Sequence, residues 1–166
     1  TIEMSDMQPD PDGLARARKQ RDIQPPAKVV QWIGDAARGY LRLLDQTRLP
    51  TETTYVECRN ARTVWDAIYR LVVRGAPAIG VAAGYGLVVA AQGIDPAGDF
   101  HAGLEESAAY LKSCRPTAVN LAWGVDRVLA AARRATFVSH DDVRAAMLEE
   151  ARAIHAEDIE LCRRIG

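Results

Sequence analysis

The sequence predicts an α+β protein: a small three-stranded antiparallel β-meander followed by a mostly helical bundle. Two observations carry this expectation. Within residues 27–59, the β-branched and aromatic runs KVVQW, YLRLLD and TTYVEC are separated by the Gly34–Gly39 stretch and by QTRLP, a spacing that suits strands. From Asn60 onward apolar residues recur at helical spacing. Three strands cannot stand alone in water, so the sheet must pack on the helices. The division expected is a flexible extension or leader over 1–26, a β subdomain over 27–59 and a helical subdomain over 60–166.

Each element follows from its local chemistry. Residues 1–26 are rich in Asp, Arg, Gln and Pro and are broken by Pro9, Pro11, Pro25 and Pro26, leaving room for a helical turn or two over Leu14–Lys19. In NARTVWDAIYRLVV, Val64, Trp65, Ile68, Leu71 and Val72 share a helical face, with Asn60 or Thr63 as N-cap. A second helix begins near Pro77 and carries AIGVAAGYGLVVAAQ. Its Gly80 and Gly84 lie four apart, on one face, where a second backbone can approach closely. A third spans Leu104 to Lys112, and a fourth, TAVNLAWGVDRVLAAARRA, follows Pro116 with Thr117 able to cap it. A fifth starts at Ser139, where Ser139 and Asp142 form an acidic variant of the capping box.

Composition narrows function. The 166 residues are 48% hydrophobic, and 21 Lys plus Arg against 22 Asp plus Glu give a net charge of -1, so no global field attracts nucleic acid or an anionic membrane. The longest apolar run, Ile79 to Ala91, falls short of the roughly 20 residues that cross a bilayer. The polar N-terminus lacks the apolar core of a signal peptide. Cys58, Cys114 and Cys162 are widely spaced and show no CxxC pattern, which argues for a reducing compartment, here the cytoplasm, and against a disulfide framework. His101, His140 and His155 share no ligand spacing, so no metal is expected.

Chemistry concentrates at two helix entrances. In RGAPAIG, Pro77 sits where its fixed φ suits a first turn, so the free amides that follow point back toward Arg74 and Gly75, a cradle for phosphate or an oxyanion. CRPTAVN repeats the grammar with Arg115 ahead of Pro116. Two such entrances suit one phosphorylated small molecule held from two sides, and Asn120 could face the same pocket. The plainer reading of both arginines is loop chemistry, solvated or paired with a carboxylate. Cys114 reads as a small buried hydrophobe. Trp65, Trp123 and Tyr85 read as core, and the acidic groups DD, EE and AED of the last helix as a solvated face.

The runs LLDQTRLPTETTYVECRNARTVWDAIYRLVVRGAPAIGVAAGYGLVVAA, SCRPTAVNLAWGVDRVL and EEARAIHAEDIELCRRIG closely resemble the methylthioribose-1-phosphate isomerases of methionine salvage, which belong to the wider family of the alpha, beta and delta subunits of translation initiation factor 2B. The resemblance covers roughly residues 27–166. It implies isomerisation of 5-methylthioribose 1-phosphate to 5-methylthioribulose 1-phosphate without metal or organic cofactor. It also implies substrate binding by Arg74, Gly75, Ala76 and Arg115, and a homodimer in full-length form. Members of the family are about twice as long, and the resemblance places their catalytic cysteine and aspartate in a C-terminal Rossmann-like domain beyond Gly166, so no catalytic residue is expected among these 166 and the chain alone is expected to be inactive. A ribose-1,5-bisphosphate isomerase and a non-catalytic regulatory subunit are the alternatives.

Overall fold

The computed structural model describes residues 29–70, 72–73, 75–135 and 139–165. The expectation of a flexible extension over 1–26 lies outside these residues, as does Arg74.

The described residues open with the expected meander: β1 (Val30–Ile33), β2 (Tyr40–Leu44) and β3 (Tyr55–Cys58) pair antiparallel in the order β1-β2-β3. Val30 lies opposite Leu43 and Leu41 opposite Cys58, a register that puts these four apolar residues on the inner face. The outer face is polar and aromatic. There Arg42 sits over the Tyr55 ring and Arg59 over the Tyr40 ring, each 4.0 Å from the centroid.

Five helices follow: α1 (Ala61–Tyr69), α2 (Ala76–Gln92), α3 (Phe100–Lys112), α4 (Val119–Arg134) and α5 (His140–Ile165). Of the two caps the sequence offered for α1, Asn60 serves, its Oδ1 accepting from the Thr63 amide at 2.8 Å. This helix ends earlier than the 60–73 pattern predicted. Val72 and Val73 leave it to enter the core as irregular chain, and the Gln46 amide donates to the Val72 carbonyl at 3.0 Å. The third helix starts a turn before Leu104, because Asp99 caps it through the Ala102 amide at 3.1 Å. At α5, Ser139 Oγ accepts from the Asp142 amide at 3.2 Å, as expected for its half of the capping box.

Helix α2 is the hub. It is buried without interruption from Ile79 to Ala91 and touches all four other helices as well as β1 and β2. Each buried Val or Leu contributes on the order of 1.5–3 kcal/mol through removal from water, so this helix anchors the hydrophobic core. Its glycines do what their spacing predicted. A Cβ on Gly80 would stand 2.7 Å from the Asn120 carbonyl oxygen, and one on Gly124 would collide with the Gly80 carbonyl. The backbones of α2 and α4 therefore touch where both lack side chains.

Candidate functional site

Three of the five helices among the described residues carry side-chain caps at their N-termini, from Asn60, Asp99 and Ser139. The other two, α2 and α4, carry none. Both bare N-termini open into one cleft of about 400 Å³. Gly75, Ala76 and Ile79 form its α2 side, and Ala118 to Leu121 its α4 side, with Arg115 and Thr117 on the loop between α3 and α4.

Local sequence explains the exposed amides. Gly75 precedes α2 with φ 92°, a conformation that side chains disfavour, and open space surrounds the position its Cβ would take. Its glycine therefore serves conformation and access. Pro77 follows in the first turn, where its missing N–H is no loss. At α4 the sequence expectation needs correcting. The helix does not start at Pro116 and Thr117 does not cap it. Residues 115–118 instead close a turn, the Ala118 amide donating to the Arg115 carbonyl at 3.0 Å, and the helix begins at Val119 with Ala118 as N-cap. The first intrahelical bond runs from the Ala122 amide to the Ala118 carbonyl, so the amides of Val119, Asn120 and Leu121 are helix-terminal donors.

Of the residues singled out in the sequence, Gly75, Ala76, Arg115 and Asn120 thus meet at one cleft, although more than forty positions separate the first from the last. The Arg115 side chain makes no ion pair among the described residues. Arg127, Arg133 and Arg144, by contrast, are each tied to carboxylates. A partly buried arginine beside two bare helix N-termini is a positive site built of donors.

Two smaller clefts adjoin this one around the first turn of α2. One, of about 240 Å³, is walled by Pro77, Trp123, Ile154 and Leu161 and shares Asn120 with the Arg115 cleft. Trp123, expected in the core, is instead 49% exposed on this wall. It lies where α4 and α5 leave a gap, and Arg127 sits 5.3 Å from its ring centroid. The other cleft, of about 200 Å³, lies between β1, α2 and α5 and shares Gly75 with the Arg115 cleft.

The acidic groups of α5 divide. Asp141, Asp142 and Glu149 are solvated as expected. Glu150 and Glu157 instead bind Arg127, at 2.5 Å to Nε and at 2.5 and 2.8 Å to the terminal nitrogens, and this pairing holds the Glu157 carboxyl below its usual range. Asp158 departs furthest from the solvated-face expectation. Its Oδ1 is buried and accepts no hydrogen bond. Such an orphan acceptor costs about 1–3 kcal/mol. One turn earlier, His155 Nδ1 lies 2.8 Å from the Tyr85 hydroxyl. Burial pushes Tyr85 up to about 12 and lowers His155, a lowering that the nearby Asp158 opposes. The sequence reading took Asp158, within AED, as part of a solvated face and His155 only as a histidine without metal-ligand spacing, because burial on a long charged helix is set by its neighbours and leaves no local pattern.

The two buried cysteines are quiet. Cys114 is buried, its Sγ lies 3.0 Å from the Leu111 carbonyl oxygen, and burial raises its pKa; burial pushes the Cys58 thiol up to about 12. Among the described residues no helix is long and apolar enough to cross a membrane, and no three His, Cys, Asp or Glu side chains gather to hold a metal ion.

Comparison with known proteins bears on this geometry. A sequence profile of the Initiation factor 2 subunit family matches residues 72–166, which take in both cleft-forming helices. The chain belongs to that family. Methylthioribose-1-phosphate isomerase of Desulforamulus reducens is 49% identical over 128 residues, covering 76% of this chain and 37% of the relative. A Clostridium botulinum protein named 5-deoxyribose 1-phosphate isomerase is 44% identical over 140 residues, 83% of this chain and 40% of that protein. Among solved structures, translation initiation factor eIF-2B, subunit delta, from A. fulgidus superposes with a TM-score of 0.72 at 39% identity, over 80% of this chain and 37% of that one. Over the part that is matched, this chain therefore shares its fold with that structure. The chain spans about two fifths of the length of the relatives it matches.

Proposed function

We propose that this chain is the phosphate-binding N-terminal portion of an aldose–ketose isomerase acting on a sugar 1-phosphate, with 5-methylthioribose 1-phosphate as substrate and 5-methylthioribulose 1-phosphate as product. The observation that supports it is the single cleft into which Arg115 and two uncapped helix N-termini open. In this reading Arg115, the amides at Ala76 and at Val119–Leu121, and Arg74, which precedes Gly75 in the sequence, hold the phosphate dianion. Gly75 lets it come close to the backbone.

A phosphate on C1 blocks the ring opening by which free aldoses isomerise. The protein must therefore fix phosphate and ring while hydrogen moves between C2 and C1, and fixing them is this portion's share of the work. The apolar α2 behind the cleft keeps water from the phosphate side. The groups that move the hydrogen belong, in this reading, to the part of the relatives that lies beyond the present chain. The isomerisation is redox-neutral and consumes no co-substrate. The full-length protein would act in the cytoplasm as a homodimer.

The test is Arg115→Ala in the full-length protein, assayed with 5-methylthioribose 1-phosphate, 5-deoxyribose 1-phosphate and ribose 1,5-bisphosphate. We expect kcat/KM to fall at least about a hundredfold on the preferred substrate with an unchanged melting temperature, because Arg115 makes no ion pair among the described residues that its loss would break. An unchanged kcat/KM removes Arg115 from the site. A second reading, a non-catalytic regulatory subunit, draws on the likeness in fold and sequence to subunit delta of the A. fulgidus initiation factor; sugar-phosphate binding without turnover of any of the three substrates would favour it.

A further inference from the structure

The clefts around the first turn of α2 form a chain of shared residues. Gly75 lines both the Arg115 cleft and the one between β1 and α5, Asn120 lines both the Arg115 cleft and the Trp123 cleft, and Asp158 lines the β1–α5 and Trp123 clefts alike. A molecule whose phosphate sits at the bare helix N-termini therefore has its remainder within reach of α5. What α5 offers there is Asp158, with one carboxylate oxygen buried and without a donor.

We infer that Asp158 accepts a hydrogen bond from a ring hydroxyl of the bound sugar phosphate, and that the β1–α5 cleft is the polyol part of the site. This rests on the phosphate-binding reading above. Native folds seldom leave a carboxylate oxygen buried and unsatisfied, and where they do, a missing ligand group is one explanation that can be checked. The surroundings suit a sugar hydroxyl, which must both give and accept. His155 lines the same cleft. The Tyr85 hydroxyl and His155 Nδ1 share a hydrogen bond, and in the tautomer in which Tyr85 donates, the neutral ring carries its proton on Nε2 and has a donor to offer a ligand. Among the described residues no ion pair involves Asp158, and Arg127 on the facing helix is engaged by Glu150 and Glu157. The soft χ2 torsion of aspartate lets its two oxygens exchange places, so a hydroxyl entering from either adjoining cleft can meet the one that lacks a donor.

The experiment is Asp158→Asn in the full-length protein, read by three measurements: affinity for ribose 1-phosphate, competition by inorganic phosphate, and melting temperature. We expect ribose 1-phosphate to bind about tenfold or more weakly, competition by inorganic phosphate to stay within twofold of wild type, and the melting temperature to hold or rise, since a charged orphan has been removed. Equal affinity for ribose 1-phosphate in variant and wild type overturns the inference. So does a parallel loss of sugar-phosphate and phosphate binding with a lowered melting temperature, which is the signature of a structural role. A second measurement needs no variant: wild type should bind 3-deoxyribose 1-phosphate and 2-deoxyribose 1-phosphate unequally, one of them about tenfold more weakly than ribose 1-phosphate, and retention of full affinity for both overturns the inference. Failure of inorganic phosphate to bind wild type at all is a different result, because it strikes the Arg115 cradle and leaves the hydroxyl contact to be judged by the deoxy series.

Discussion

Placing a carboxylate at position 118 should stabilise the fold and blind the cleft. Ala118 caps α4 with φ -80° and ψ 98°, almost the backbone of Asp99, which caps α3 with φ -76° and ψ 103° and whose Oδ1 accepts from the amide three residues on. Ala118→Asp therefore starts from a backbone already shaped for capping, and its carboxylate reaches the Leu121 amide. Such a cap is worth about 0.5–2 kcal/mol, with about 0.3–1 kcal/mol more from a negative charge at the positive end of the helix. At about 2–4 °C per kcal/mol for a chain of this size, the melting temperature should rise by roughly 2–12 °C, read by circular dichroism. Phosphate binding should move the other way. A carboxylate roughly 5 Å from the anion, at an effective dielectric of about 20, repels each unit of its charge by about 3 kcal/mol, so affinity measured by calorimetry should fall more than a hundredfold. Ala118→Ser, a cap without charge, should stabilise with a smaller loss of phosphate. A stabilised Ala118→Asp protein that still binds phosphate within threefold of wild type would refute the claim that these amides hold the anion.

Gly124→Ala should destabilise the fold by about 1–3 kcal/mol despite the better helix propensity of alanine, because the atoms it strikes are the backbone of Gly80 and cannot rotate away; Gly93→Ala, whose Cβ meets nothing nearer than 3.7 Å, is the control and should be neutral, and equal melting temperatures for the two variants would show that the helices yield. Stability should also fall on acidification through the histidine range. Burial lowers the folded-state pKa of His155 below its usual value, so the unfolded chain binds the proton more readily, and stability drops as pH falls below about 6.5. Melting temperatures at pH 5.5 and 7.5 should differ in wild type and less so in His155→Gln.

Much of this architecture was legible because it rests on local rules. The meander announced itself through β-branched runs between turn residues, and Gly80 and Gly84 announced a close helix crossing through their spacing alone. The Arg115, Gly75 and Ala76 grouping was legible as two helix entrances, and the structure brings them to one cleft. What escaped has physical causes. Pro116 looked like a first-turn proline, yet the turn that the Ala118 amide closes on the Arg115 carbonyl delays α4 to Val119. Trp123 was assigned to the core by its helical face, whereas α5 leaves that face uncovered. The Asp99 cap hid in a loop where Asp95, Gly98 and Asp99 compete for the role. Asp158 looked like any acid on a charged helix, because a missing hydrogen-bond partner is a property of three-dimensional surroundings.

The meeting of two helix N-termini follows from where the helices cross. Gly80 lies five residues past Gly75, and Gly124 six past Ala118, so the contact sits about 7–9 Å along each helix from its start. Two helices that touch so near their beginnings bring those beginnings together, and the glycine pair draws the axes close, at or below the short end of the usual 8–10 Å. The arrangement has an electrostatic cost, since two positive helix ends, each equivalent to about half a charge, then face one cleft beside a guanidinium. Side-chain caps would relieve that cost, and the chain supplies them at α1, α3 and α5 but not here. A dianion bound in the cleft relieves it instead, and it does so only when present. The same glycines that let the helices touch thus make the protein's affinity for phosphate and its stability rise together: anion binding should raise the melting temperature of wild type, and do so far less in Ala118→Asp, where the relief is built in.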